Sequence, residues 1–560
     1  MKKYLPLCLL VSLISLTALW HFSLKSAPVA EKSVPAVQYE KNILLIPLDG
    51  RPPCRQFVID AAAIAGIKVQ TPPTELQDYY SAPGDTTGMR SWLRENLAAN
   101  QAAIISIDQL LYGGLLAARE QEAPEDKQQA LINYLRELHQ KYPDIPLLAF
   151  SILPRQTPQD TIDGYQERKD LLAYSRLKGR QAMGLSVDET ELARLQSAIP
   201  AASLQKYLAH FAENTALNQK LIALVQEGVL SRLVLGQDDG EPYSIPNIEK
   251  EKIRQLLADK NISPDKVCLT HGADEIALTM LAAYTNNLAG WQPRIYTAYN
   301  HPRTPEKIMP YMAISMADTA REKIQLIGGQ PVAAPDTADF ILYLSANDYE
   351  QDTVSDRSQA CQYISAQLQA HRQLALVDLS KHFTAQETIL PLLLESDIPL
   401  NALTAYAGWN TASNSIGTAA ASASLYCAAI RQTATVDAAA AATQANIKFL
   451  HNRMLEDYFY LKADIDMVNH SLQKAGYHNT ADLDLEHNWR WANNMLQTSM
   501  QKHLAAYKYA PAIRTPAVFS SPAGQFTLTL YDLKAELSYP WPRTFEIYLE
   551  STPYLTTTVP

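Results

Sequence analysis

The chain has 560 residues, which is too long for one ordinary domain and predicts two or three. Hydrophobic residues make up 47% of the sequence and charged residues 19%, as in a globular protein with a large core. The net charge of −10 argues against nucleic acid, or an anionic membrane surface, as the main partner.

The N-terminal segment has the order of features that directs a protein for export. Lys2 and Lys3 precede an apolar run from Tyr4 to Leu24, and small residues follow. This order predicts a secretory signal peptide or an uncleaved membrane anchor over residues 1–30, and then a linker over 31–41. We therefore expect an exported protein that is periplasmic, at the cell surface or anchored to the membrane.

The cysteines predict neither a zinc cluster nor a disulfide framework. Those that follow Cys8 are far apart and include no CxxC pair. Export permits disulfides, but most of these cysteines fall in predicted strands and helices, so we expect buried free thiols. They are Cys54, Cys268, Cys361 and Cys427.

Short apolar runs alternate with helical stretches through the first half of the chain. Their length and β-branched content predict strands rather than helices. The predicted strands are 42–48, 67–70, 102–107, 146–152, 233–235 and 266–270. A long helical insertion, 158–228, lies before the fifth of them and could form a lid or a helical subdomain.

The alternation continues in the second half. The predicted strands are 294–298, 330–333, 340–344, 374–379 and 401–406, followed by mostly helical sequence and then β patterns at 526–531 and 545–549. We therefore predict a first α/β domain over 42–290 and a second over 291–430. A helical region over 431–510 and a β-rich tail over 511–560 follow.

The repeated βα units predict an α/β fold with parallel sheets. About eleven strands are too many for a single barrel. Two arrangements remain open: two doubly wound units, or a barrel followed by a smaller α/β unit. In both, the loops at the carboxyl ends of the strands share one face, where ligands bind.

Ionisable residues follow one predicted strand after another. The adjacent carboxylates Asp238 and Asp239 end one strand, and Asp274 and Glu275 end the next. Carboxylates at such places are costly to bury without a partner, so these four are the candidate catalytic residues. The candidate substrate-binding residues are Asp49, Arg51, Asp108, Tyr112, Arg155, His301, Trp409, Asn410 and Asn414. The alternative for each one alone is a helix cap or a solvated loop, and for Trp409 core packing.

Standard motifs for nucleotide binding, zinc proteases and the α/β-hydrolase nucleophile are absent from the sequence. Paired carboxylates can divide into acid and base, arginines bind hydroxyls or carboxylates, and aromatic rings stack on sugars. We predict a glycoside hydrolase that acts on a cell-wall or environmental glycan and needs no cofactor or metal. The alternatives are a non-catalytic glycan-binding protein and a metal-dependent hydrolase with ligands Asp49, Asp238, Asp239 and His301.

Several segments resemble the bacterial domain-of-unknown-function family numbered 4127. They are PLDGRP (47–52), DQLLYGGLLAAR (108–119), GQDDGEP (236–242), HGADE (271–275), AYAGWNTASNSIGT (405–418) and PWPRTFEI (540–547). The resemblance runs in order over 42–550 and implies family membership without a secure activity. His271 stands where the family pattern is expected to have proline, which leaves the role of this histidine open.

The stretch HGADEIAL (271–278) is also similar to the strand-end H-x-G-x-D-E signature of family 20 β-N-acetylhexosaminidases. The histidine spacing differs, because His271 directly precedes Gly272. This resemblance implies that Asp274 orients the substrate acetamide and that Glu275 protonates the leaving oxygen. We therefore predict Glu275 as the general acid, with Asp239 binding a sugar hydroxyl or positioning water.

Overall fold

The computed structural model of the chain describes residues 32–348, 353–479 and 482–559. The predicted signal peptide or anchor, 1–30, lies outside these ranges. Among the helices inside them, none combines the length and the apolar character that a membrane crossing requires.

Two parallel sheets form the centre of the molecule, and a small antiparallel sheet lies at the end of the chain. The strands of the described ranges are β1 (Lys32–Ser33), β2 (Lys41–Ile46), β3 (Ile67–Gln70), β4 (Ala103–Ser106), β5 (Leu147–Leu153), β6 (Arg232–Gln237), β7 (Val267–His271), β8 (Arg294–Tyr299), β9 (Gln330–Pro331), β10 (Phe340–Asn347), β11 (Leu374–Ser380), β12 (Ala405–Ala407), β13 (Ala517–Ser521), β14 (Gly524–Ser538) and β15 (Tyr548–Thr558). The eleven predicted α/β strands correspond to β2–β12, with ends that differ by a few residues.

The first parallel sheet has the order β3-β2-β4-β5-β6-β7, and the second has the order β9-β8-β10-β11-β12. Counted from the first strand of each, both contain the order 2-1-3-4-5 of a doubly wound fold. The predicted α/β class with repeated βα units is confirmed, in the arrangement with two open sheets. Within the described ranges neither sheet closes into a barrel.

Apolar helices fill the space between and around the sheets. Ile276–Leu288 lies against β4 and β5 and packs on Ala412–Gln432, which contacts β10, β11 and β12. This helix pair joins the two sheets into one continuous core. The other α-helices that precede Ala412–Gln432 in the described ranges are Gln56–Ile64, Thr86–Asn96, Ile107–Tyr112, Leu115–Glu120, Glu125–Lys141, Tyr165–Ala182, Glu189–Ala198, Ala201–Gln226, Ile245–Asp259, Met316–Leu326, Val354–Gln369 and Leu390–Leu394.

The predicted helical insertion consists of Tyr165–Ala182, Glu189–Ala198 and Ala201–Gln226. Tyr207 and Phe211 of the insertion lie in a small hydrophobic cluster that also includes Ile245 of the helix after β6. The insertion is therefore helical, as predicted, and packs on the first domain between β5 and β6.

The C-terminal region begins with a long helix. Val436–Met454 continues into a π-helical segment, Leu455–Asp464, and then into Ile465–Lys474; Trp489–Tyr507 and Pro511–Arg514 follow. β13, β14 and β15 form an antiparallel tail, in which the predicted strand 545–549 begins later, at Tyr548. β1 pairs with β15, so the start of the predicted linker is a strand of this tail sheet.

The cysteines of the described ranges are free thiols. Cys54, Cys268 and Cys427 are buried and Cys361 is partly exposed. Their placement on separate elements keeps them apart, as their sequence spacing predicted.

Candidate functional site

A polar cavity of about 450 Å³ lies where the strand ends of the first sheet face the loops of the second. Residues at or after the ends of β2, β4, β5, β6 and β7 form one side of its wall. Loops after β8, β11 and β12, with the loop between β14 and β15, form the other. The charged, amide and aromatic residues on the wall are Arg51, Arg119, Arg155, Gln237, Asp238, Asp239, His271, Asp274, Tyr311, Phe383, Asn410, Asn414, Arg543 and Phe545.

Asp238, the first carboxylate after β6, is held by an arginine. Arg119 Nη2 lies 2.5 Å from Asp238 Oδ2, and Arg119 Nε donates to the same oxygen. Burial by itself would raise the pKa of Asp238, but Arg119 and Arg155 outweigh it and lower that pKa. Asp238 is therefore a fixed negative charge on the cavity wall.

Asp239, the next residue, has the opposite character. Its side chain is half-buried and has no hydrogen-bond partner in the part of the chain that the structure describes. Burial and the neighbouring Asp238 charge raise the pKa of Asp239 to about 7, although Arg119 and Arg155 act against this. Asp239 can therefore exchange a proton near neutral pH at the surface of the cavity.

Asp274, after β7, shares an arginine with Asp49. Arg51 Nη2 lies 2.6 Å from Asp49 Oδ2 and 2.6 Å from Asp274 Oδ1, and Asn414 Nδ2 donates to Asp274 Oδ2 over 3.3 Å. Burial raises the pKa of Asp274 to about 6 despite the Arg51 charge. Asp49 is fully buried behind Arg51, so it positions the arginine and does not line the cavity.

Glu275 does not lie on the cavity wall, contrary to its predicted role as the acid. It is 2% exposed, its Oε1 lies 2.6 Å from Lys323 Nζ, and Ser413 Oγ donates to it over 2.9 Å. Adjacent side chains that leave a strand point in different directions. Asp274 faces the cavity, whereas Glu275 faces the helix Ala412–Gln432. Glu275 is therefore not placed to donate a proton to a ligand in the cavity.

Asp108 and Tyr112 lie behind the cavity. They line a narrow space that shares Arg119 and Asp238 with the main cavity. Asp108 Oδ2 accepts a hydrogen bond from the Ile152 backbone, and burial raises the pKa of Asp108 to about 7. Both residues support the wall and do not face a ligand.

His301 and Trp409 also lie off the cavity wall. His301 Nδ1 accepts a hydrogen bond from the Arg303 backbone beside the second sheet. Trp409 is 2% exposed, and its ring meets Phe57 and Phe545 edge to face. Trp409 therefore follows the core-packing alternative, whereas its neighbours Asn410 and Asn414 line the cavity.

Three wall residues other than glycine have left-handed backbone conformations: Tyr311 at φ 63°, Phe383 at φ 56° and Asn410 at φ 56°. Such conformations cost energy for residues with a Cβ and cluster at ligand sites. The Tyr311 and Phe383 rings are exposed and lie 6.5 Å apart, centroid to centroid. They form an aromatic rim at the opening of the cavity.

His271 completes the wall beside β7. Its Nδ1 lies 2.9 Å from Glu322 Oε2, and its Nε2 lies 2.8 Å from Lys250 Nζ. Burial lowers the pKa of His271 and lowers that of Lys250 to about 8. This buried chain fixes the ring, so His271 is a rigid polar part of the wall.

The ligand set of the metal-dependent alternative does not converge. Asp49 and Asp238 are each engaged by an arginine, and His301 is not part of the cavity wall. Asp49, Cys54 and Asp274 lie close enough to hold an ion, but the Arg51 guanidinium already bridges the two carboxylates. The donor set of the cavity thus fits hydrogen bonding and proton transfer better than metal ligation.

Sequence reasoning did not select seven of the fourteen charged, amide and aromatic wall residues. They are Arg119, Gln237, His271, Tyr311, Phe383, Arg543 and Phe545. Five of them stand in the segments that resemble the family: Arg119 in DQLLYGGLLAAR, Gln237 in GQDDGEP, His271 in HGADE, and Arg543 and Phe545 in PWPRTFEI. Tyr311 and Phe383 had no local signal.

A family model described as "Protein of unknown function (DUF4127)" matches residues 43–550. No curated protein and no solved structure matches the chain significantly. The match begins within β2, covers the rest of both parallel sheets, and ends near the start of β15.

Proposed function

Because the chain belongs to the DUF4127 family, whose description assigns no activity, we propose a function from the cavity itself: an exported glycoside hydrolase that acts on a cell-wall or environmental glycan. One observation carries the proposal. Two carboxyl groups with raised pKa values, Asp239 and Asp274, line a single cavity together with the ionised Asp238. Carboxyl pairs whose environments differ are the usual machinery of glycoside hydrolysis.

Asp239 is the proposed general acid. A pKa of about 7 leaves a large fraction of its carboxyl group protonated near neutral pH. Its side chain has no partner within the described ranges, so the proton is available to the oxygen of a leaving sugar. The fixed charge of Asp238 beside it keeps the proton on Asp239 until the reaction starts.

Asp274 is the proposed second carboxylate. Arg51 and Asn414 hold its two oxygens in place, and its pKa of about 6 favours the ionised form at neutral pH. An ionised carboxylate can activate water or stabilise the positive charge that develops on the sugar ring. Arg51 also keeps this group oriented while the substrate exchanges.

The rim supports the choice of a sugar substrate. Tyr311 and Phe383 expose aromatic faces, and Gln237, Asn410 and Asn414 offer amide groups to hydroxyls. Residues 1–30 have the order of an export signal, so a glycan outside the cell is the substrate class that the chain would meet.

The first experiment replaces the proposed acid. Asp239→Asn should lower kcat by about 10²-fold or more on a glycan with a poor leaving group, and less on an activated aryl glycoside. In the unmodified protein, kcat/KM should fall as the pH rises through about 7, because the acid must carry its proton. The fall of kcat/KM above about pH 7 should be absent from the pH profile of Asp239→Asn.

The matched control is Asp163→Asn, which changes an exposed carboxylate that is not part of the cavity wall. It should leave kcat and the pH profile unchanged. Turnover by Asp239→Asn close to that of the control on both substrates would reject the assignment. Tight glycan binding by the unmodified protein without any turnover would favour the glycan-binding alternative.

A further inference from the structure

Four arginines line the cavity, and three of them have carboxylate partners within the protein. Arg51 binds Asp49 and Asp274, Arg119 binds Asp238, and Arg543 binds Glu546. The fourth is Arg155, which follows β5.

Arg155 has no ion pair and no hydrogen bond in the ranges that the structure describes. It is half-buried on the cavity wall, where a guanidinium gives up part of its hydration. The charged groups that act on it are Arg119, Asp238, Asp239 and Asp160, and none of the three carboxylates bonds it directly. A desolvated guanidinium facing a cavity is a preformed receptor for a planar oxyanion.

We propose that Arg155 binds a carboxylate of the ligand, so that the cavity takes an acidic sugar such as a uronic acid unit. The cavity opening also fits this class, because its aromatic rim can cover the sugar face while the arginine binds the acid group. Hydrolysis of such a ligand rests on the proposed function. Binding of its carboxylate by Arg155 does not depend on that function.

The position of Arg155 also couples binding to the proton on Asp239. The charged groups that face Asp239 are Asp238, Arg119, Arg155 and Asp274. Arg155 is one of the two cations that favour the ionised form of Asp239. A ligand carboxylate offsets the Arg155 charge and adds a negative charge, so it raises the pKa of Asp239 further. Asp239 then takes up part of a proton from solution when the acidic sugar binds. The bound state then holds the acid in its protonated form.

The test is titration calorimetry on the full chain with matched oligosaccharides. The probes are galacturonic and glucuronic acid oligosaccharides, their methyl esters, and the neutral galactose and glucose counterparts. We expect the acids to bind about 10- to 100-fold more tightly than the esters or neutral sugars. Repeating the titration near pH 7.5 in buffers of different ionisation enthalpy should reveal proton uptake.

Arg155→Gln should remove the preference for acids and leave the affinity for neutral sugars unchanged. Arg136→Gln changes an exposed arginine outside the cavity and should keep the full preference. Asp239→Asn should bind the acidic sugar without taking up a proton. Circular dichroism and melting temperature verify that each variant is folded.

Equal binding of acidic and neutral sugars, no binding of any acid, or a preference that survives Arg155→Gln would each overturn the inference. Hydrolysis assays on the same probes separate it from the proposed function. Hydrolysis of neutral sugars without an acid preference removes only the inference. Acid-selective binding without hydrolysis of any probe removes only the proposed function.

Discussion

Glu275 and Asp274 are neighbours in sequence but have different surroundings, because the chain turns into a helix directly after them. Asp274 meets Arg51 and Asn414 at the cavity, whereas Glu275 meets Lys323 and Ser413 inside the core. A buried ion pair of this kind fixes a geometry, and it is costly to break because the remaining charge has no water around it. Lys323 also donates to the backbone oxygen of His271, which places this pair directly behind the cavity wall.

Glu275→Gln is therefore expected to act on stability. Removing the carboxylate leaves the fully buried Lys323 charge without its partner and should lower the free energy of unfolding by about 3 kcal/mol or more. Urea denaturation measures this loss, and adding Lys323→Met to the variant should recover part of it. A large loss of turnover at unchanged stability would instead restore Glu275 as the general acid.

At the scale of elements, the π-helical segment Leu455–Asp464 supports the loop that brings Asn410 to the cavity. Asp457 Oδ2 accepts a hydrogen bond from the Gly408 backbone, and Lys462 Nζ donates to the Gly408 and Asp457 carbonyl oxygens. The π-helical segment therefore binds both the backbone N–H and the carbonyl oxygen of Gly408. π-helical turns are rare and are often found at functional sites.

Lys462→Met should weaken this support. The buried Gly408 and Asp457 carbonyls would lose their donor, which should lower the free energy of unfolding by about 1–3 kcal/mol. Movement of Asn410 should also raise KM for the proposed glycan more than it lowers kcat. Lys474→Met, on an exposed position of the following helix, is the control and should change neither quantity. Unchanged stability in Lys462→Met would mean that the loop is held by other contacts.

The whole molecule holds several buried or half-buried carboxyl groups that stay partly protonated at neutral pH. Burial raises the pKa of Asp78 to about 8 and the pKa values of Asp108, Asp239 and Glu456 to about 7. Each of these values lies above that of the unfolded chain, so the folded state binds more protons. Their contribution to stability is present at low pH and is lost as the pH rises through about 7 to 8.

We expect the melting temperature to be higher at pH 6 than at pH 8.5. For each net proton that the chain releases on unfolding, the free energy of unfolding falls by about 1.4 kcal/mol per pH unit as the pH rises. Below about pH 6.5 the buried His210 and His451 act in the opposite direction, because burial lowers their pKa values to about 4 and about 3. Calorimetry across this range measures the profile, and Asp108→Asn should flatten its alkaline side. A melting temperature that rises toward pH 8.5 would contradict the prediction.

The sequence was sufficient to predict the α/β class and the strands of both sheets, because short apolar runs bounded by polar loops are local signals. It also predicted that Asp238, Asp239 and Asp274 leave neighbouring strands. The direction of the Glu275 side chain depends on the helix that packs above it, and no local pattern carries that information. Tyr311 and Phe383 reach the cavity from loops of the second sheet, so only the packing of the two sheets brings them to it.

The cavity wall joins Arg51, near the start of the first sheet, to Phe545, near the end of the tail. This separation has a kinetic consequence. Each parallel sheet can form from contacts within its own part of the chain. Closing the cavity wall instead brings together residues from nearly opposite ends of the chain, which costs loop-closure entropy. We therefore expect the cavity wall to close late in folding, and a fragment that lacks either Arg51 or Phe545 does not contain all of it.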